Sequence, residues 1–135
     1  LVPRLDDHHR EHFDISHHEY TALIMIAESD NATAELSSVA RRTNASLSRI
    51  SHTVRRLARD GLVVLARSDR DGRATTATLT DAGAELLERA ARGAMAEAQR
   101  LVFDPLTKEQ QDALTQICLT LLSSWRPDDP HPWVR

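Results

Sequence analysis

The sequence predicts a mainly α-helical fold interrupted once by a small β-hairpin. Three observations predict it. Apolar residues recur at helical spacing along most of the 135 residues, most clearly at Leu47, Ile50, Val54 and Leu57. One stretch has strand-like composition, Leu62–Leu65 and Ala74–Leu79, around a polar tip that contains Gly72. Positive charge is concentrated: residues 41–73 hold nine arginines and three acids, a net +6, in a chain whose overall charge is -3.

Each element has its own signal. Residues 1–12 place Leu1, Leu5, His8 and His12 on one helical face, with Pro3 tolerated in a first turn. Ser16 and Glu19 read as a capping box, opening a helix with Tyr20, Leu23, Ile24, Ile26 and Ala27 that stops near Ser29. Asp30–Thr33 has turn chemistry. A short helix follows with Ser37 at its cap, and Asn44-Ala45 makes a tight turn. Ser46 caps a helix running to Asp60, whose inward stripe is Leu47, Ile50, Val54 and Leu57, and Gly61 supplies a left-handed stop. A short helix, a tight turn and a second helix make a helix-turn-helix, and the hairpin after it is the wing of a winged helix. Thr80 caps a long helix from about Asp81 to Phe103, which Pro105 breaks. Thr107–Gln110 is a further capping box, opening a helix with Leu114, Ile117, Cys118, Leu121 and Leu122. Cys118 is expected to be a small buried hydrophobe there. Residues 127–135 form a polar, Pro-rich tail.

Composition narrows the function. No apolar run approaches the 18 or so residues that span a membrane, no signal peptide is visible, and a single cysteine forms no internal disulfide. The expected setting is cytoplasmic, with no membrane partner. The sequence contains no Gly-rich phosphate loop, nucleophile elbow, paired-Cys zinc pattern or His-Glu-x-x-His, so neither catalysis nor a cofactor is expected. Aromatic residues make up 4%, too few for a base-stacking platform on single strands.

The basic segment carries the chemistry. With Ile50 pointing inward, steps of 100° put Ser48, Arg49, His52, Arg55, Arg56 and Arg59 on the outward half of the 46–60 helix. Such a face fits the major groove of duplex DNA, where arginine forks onto guanine and serine or histidine reaches base edges and phosphates. Ser46, at the helix start, joins this set. Arginine is used almost to the exclusion of lysine, which suits bidentate recognition better than a merely solvated face requires. In the wing, Arg70, Asp71 and Arg73 read equally well as a minor-groove probe or as an ordinary charged tip.

Several motifs in order resemble the MarR family of transcriptional regulators. They are Gly61-Leu62-Val63, Asp71-Gly72-Arg73-Ala74 and Leu79-Thr80-Asp81-Ala82-Gly83, with Ser46–Gly61 similar to the family's recognition helix and Leu106–Glu109 to the start of its last helix. The resemblance covers about residues 14–124. It implies a homodimer bound to a near-palindromic duplex site and acting most often as a repressor. Residues 1–16 and 81–126 would form the dimerisation region and 17–80 the DNA-binding domain. It also implies that Arg73 is the minor-groove arginine and Asp71 the residue that orients it. One departure is Leu65, where the family usually has a basic residue. Arg67, two residues on and on the same strand face, is expected to substitute.

Five histidines crowd residues 8–18. The resemblance implies that small, often aromatic and anionic, effectors bind between the dimer helices and the winged helix, with His8, His12 and Tyr20 lining the cleft. An alternative is a metal-responsive regulator, because His8 and His12 have an i, i+4 spacing that suits two imidazoles on one ion. Without a thiolate beside them, no metal site is assigned. A third reading is a helical protein-interaction module whose basic face meets an acidic partner.

Overall fold

The computed structural model describes residues 2–68 and 72–125. The order is α1 (Val2–Phe13), α2 (His17–Ala27), β1 (Thr33–Glu35), α3 (Leu36–Arg42), α4 (Leu47–Arg59), β2 (Val63–Arg67), β3 (Thr75–Leu79), α5 (Asp81–Ala98) and α6 (Lys108–Trp125). This is the expected mainly helical fold with a hairpin wing. The chain divides into two compact units, Leu1–Glu97 and Ala98–Arg135. Among the described residues no helix is long and apolar enough to cross a membrane.

The core of the first unit lies where α2, α3 and α4 meet the sheet. Leu23, Ile26, Val39, Ile50, Val54, Leu57, Val63 and Ala77 are each no more than 2% exposed. Helix starts follow the caps. The Ser16 hydroxyl accepts from the Glu19 amide at 3.1 Å, while the Glu19 carboxylate accepts from the Ser16 amide at 2.7 Å. The Ser46 hydroxyl accepts from the Arg49 amide at 3.2 Å and opens α4. Asn44 (φ 51°) and Gly61 (φ 74°) are left-handed, so the chain turns sharply before α4 and again after it.

The structure departs from the sequence reading in four places here. The turn expected over Asp30–Thr33 is present as a 3-10 turn over Asp30–Ala32, but after it Thr33–Glu35 form an unforeseen third strand, β1, which pairs antiparallel with β3 in the register Ala34↔Ala77, so the sheet order is β1-β3-β2. This pairing holds Glu35 extended, and α3 therefore begins at Leu36 with Glu35, not Ser37, at its cap. Leu47, assigned to the inward stripe, is 52% exposed, because the first turn of α4 projects past the core; Thr53 is buried instead. Finally, the helix expected over Asp81–Phe103 does run to Phe103, but it is α-helical only to Ala98 and ends in a π-helical turn over Gln99–Phe103 before Pro105.

The base of the wing is locked to α5 by a close approach. The Thr80 hydroxyl accepts from the Gly83 amide at 3.0 Å and donates to the Gly61 carbonyl at 2.7 Å. A β-carbon at Gly83 would collide with the Leu62 carbonyl oxygen and lie 2.8 Å from the Leu79 Cδ1. Because that oxygen belongs to backbone, it cannot swing aside. Gly83→Ala is expected to destabilise the first unit by about 1–3 kcal/mol, read as a lower urea midpoint.

The second unit contains α6, opened by the expected capping box: the Thr107 amide donates to the Gln110 Oε1 at 2.9 Å, and the Gln110 amide to the Thr107 hydroxyl at 3.3 Å. No residue from Lys108 to Ser124 is buried; Ile117 is 58% exposed and Leu121 43%. Cys118 is exposed as well, contrary to its expected burial, because no described residue of its own unit covers that face of α6.

Candidate nucleic-acid interface

Helix α4 packs against α2 and α3 through Ile50, Thr53, Val54 and Leu57, and this fixes which side faces out. Ser46, Ser48, Arg49, His52, Arg55 and Arg59 are all exposed. Among the described residues no ion pair holds Arg49, Arg55 or Arg59. The first turn of α4 contains no acid, so its free amides and dipole add to a field that favours an anion. Arg56 differs from its neighbours. Its Nε lies 3.2 Å from Glu19 Oε1 and 3.9 Å from Asp60 Oδ2, and the guanidinium also donates to the Asp14 carbonyl.

The wing continues this surface. β2 and β3 pair over Val63↔Leu79 to Arg67↔Thr75. Along one face of β2, Val63 is buried, Leu65 half-buried and Arg67 exposed, so the strand runs from core to solvent. The Leu65 side chain packs against the core, and the first cation on that face is Arg67, which donates to the Gly72 carbonyl at 3.3 Å. Arg73 is exposed at the start of the returning strand. Arg70 and Asp71 lie outside the described residues.

The His8 and His12 rings stack on α1 with centroids 4.4 Å apart, while Tyr20 packs on His9 at 4.3 Å. A cavity of about 880 Å3 does open between α1, the start of α2 and α4. Asp6, Arg10, His17, His18, Arg49 and His52 are among its walls, and His8, His12 and Tyr20 are not. Burial, and after it the charge of Arg49, hold the His18 imidazole below its usual pKa. Among the described residues no three His, Cys, Asp or Glu side chains are placed to share a metal ion.

Sequence reasoning passed over His9, the one buried residue of α1. The spacing Leu5, His9, Phe13 would have located it, since that row is half-buried, buried and half-buried. His9 lies between Tyr20 and His17, the latter stacked at 5.6 Å, and neither ring nitrogen has a hydrogen-bond partner. Desolvation, then the neighbouring His17 and His8, lower its pKa from 6.5 to about 4, opposed by Asp6. The fold thus favours neutral His9. Its stabilisation is complete above pH 6.5 and is lost as pH falls from there to about 4. The full loss is about 3 kcal/mol at 1.36 kcal/mol per unit of depression from 6.5 to about 4. Urea unfolding at pH 7.5 and 5 should show a drop that His9→Phe largely removes; equal drops in both proteins would exclude His9 as its source.

An outward arginine helix beside an exposed hairpin defines a winged helix-turn-helix protein. The sequence profile of the MarR family matches residues 13–74. Sco3205, a MarR family transcriptional regulator from Streptomyces coelicolor solved in complex with DNA, is 33% identical over 99% of this chain and 87% of its own, with a TM-score of 0.78. AbsC, a MarR family transcriptional regulator from the same organism, is 25% identical over 94% of this chain and 85% of its own, with a TM-score of 0.76. A mutant MarR from E. coli shares the fold at a TM-score of 0.82 and 18% identity, over 90% of this chain and 87% of its own. No curated protein sequence gives a significant match. The chain belongs to the MarR family of transcriptional regulators, which are DNA-binding proteins rather than enzymes.

Proposed function

We propose that this chain is a homodimeric, sequence-specific regulator, acting as a repressor, that binds a near-palindromic duplex site and releases it when a small effector binds. The observation that carries this reading is the outward half of α4. Ser48, Arg49, His52 and Arg55 are exposed together on a rigid helix with an acid-free N-terminal turn, flanked by the wing. Ser46, Arg67, Arg70, Asp71 and Arg73 complete the proposed contact set.

Dimerisation is supported by α6, which carries Leu114, Ile117, Leu121 and Leu122 without burying any of them. Residues 1–16 and 81–126 form the proposed dimerisation region, and 17–80 the DNA-binding domain. For the effector, the cavity bounded by Arg10, His17, His18 and Arg49 offers donors to an anion, and an occupant there would lie against a DNA-contacting arginine.

Hydroxyl-radical footprinting on genomic DNA around the protein's own gene tests this reading. A dimer with two recognition helices gives two protected stretches about one helical turn (~34–36 Å) apart, related by an approximate two-fold. A single protected stretch, or none, counts against it. Arg73→Ala is expected to weaken binding at least several-fold, on the order of 1 kcal/mol, with an unchanged melting temperature. Unchanged affinity would remove Arg73 from the contact set.

A further inference from the structure

The corner between α1 and α2 makes a polar connection to the recognition helix. Glu19 lies in the first turn of α2, and its side chain is 6% exposed. One carboxylate oxygen accepts from the Ser16 amide at 2.7 Å and the Ser16 hydroxyl at 2.9 Å, while the other faces Arg56 Nε on α4 at 3.2 Å. The same guanidinium donates to the carbonyl of Asp14, whose φ of 53° makes the corner. Asp6 of α1 accepts from the His17 amide at 2.6 Å and pairs with Arg10, which ties α1 to the start of α2.

We propose that the Glu19–Arg56 pair is a clamp that sets the rotation of the recognition helix on the α1–α2 corner, making Arg56 a positioning residue and not a phosphate contact. This rests on the DNA-binding reading above. Two physical arguments carry it. Burial of Ile50, Thr53, Val54 and Leu57 sets which side of α4 faces out, and an ion pair beside that stripe adds a polar constraint on how finely the helix is turned about its axis. If Arg56 turned to a phosphate, Glu19 would be left as a buried carboxylate without its counter-ion, next to a polyanion. Arg49 and Arg55 carry no such obligation. Hydrogen bonds from Arg49 and His52 to base edges weaken steeply with misalignment, so the clamp bears on sequence preference more than on charge attraction.

The test uses full-length wild type, R56Q, R56K, E19Q and the E19Q/R56Q double variant. Each is titrated over a salt series with the genomic fragment that the wild type prefers and with a random duplex of equal length. Glutamine at position 19 retains the capping box, because its amide oxygen still accepts from the Ser16 amide. A clamp predicts that R56Q and E19Q each lose about ten-fold on the preferred fragment, with the double variant no weaker than the worse single. It also predicts that affinity for the random duplex and the slope of log affinity against log salt stay the same. R56K, which reaches Glu19 with a single ammonium, falls between wild type and R56Q, and it carries the test alone if R56Q does not fold. The proposal is overturned if R56Q weakens both duplexes equally and flattens the salt slope by about one while E19Q is neutral or tighter. R56K binding like wild type would overturn it too. Failure of the parent reading is distinguishable, since the wild type itself would then prefer no fragment.

Discussion

Replacing Arg49 and Arg55 together with alanine is expected to reduce affinity for the preferred DNA site by about thirty-fold or more. Both side chains are exposed on the outward half of α4, and no ion pair among the described residues holds either one. Arginine forked onto a base edge contributes about 1–3 kcal/mol of discrimination, so two such losses reach roughly one and a half to four and a half powers of ten. Neither residue touches the core, so thermal stability should hold. Fluorescence anisotropy at one fixed salt concentration checks this. A loss of equal size on a random duplex would mean that both arginines serve phosphates alone, and sequence reading would then have to come from elsewhere on the surface.

Leu57→Ala should produce the largest change in stability. Leu57 has no exposed surface and sits in the cluster where α4 meets α2, α3 and the sheet. Truncating a fully buried leucine removes its transfer free energy and leaves a cavity, at a cost of about 2–5 kcal/mol. That is a large fraction of the ~5–15 kcal/mol that holds a typical domain together. Leu47→Ala on the same helix serves as the control: the side chain is 52% exposed, and the change should stay within about 0.5 kcal/mol. Urea unfolding of the two variants checks both. Similar losses would mean that Leu47 is covered in solution, as it would be if a second chain packed over the first turn of α4.

The contrast between Leu47 and Leu57 shows what sequence periodicity can and cannot supply. Period and caps located α2, α4, the hairpin and α6, because each has a strong local signal: Ser16 with Glu19, Ser46 before the stripe, Gly61 after it, Thr107 with Gln110. Strand β1 was missed because three residues carry no period, and its existence depends on β3, more than forty residues away. The α3 boundary moved with it, since pairing of Glu35 rather than the side chain of Ser37 decides where that helix starts.

The candidate site shows the same division. A helical wheel places Arg49, Arg55 and Arg56 alike on the outward half. Only tertiary packing brings Glu19 against Arg56 and leaves the other two clear. Within α1 the sequence drew notice to His8 and His12, whereas the packing of α1 on α2 buries His9. The exposure of Cys118 follows from α6 having no cover among the described residues of its own unit, which no single-chain pattern could reveal.

On the proposed function, α4 and the wing read duplex DNA. Equilibrium binding to fragments around the protein's own gene, against a random duplex of equal length and over a salt series, tests it most directly. A preference of about 10³-fold or more for one fragment is expected, with log affinity falling linearly in log salt at a slope near -0.9 per phosphate contact. Equal and weak binding to every fragment would contradict it and would leave the arginine face as a surface for an acidic protein partner.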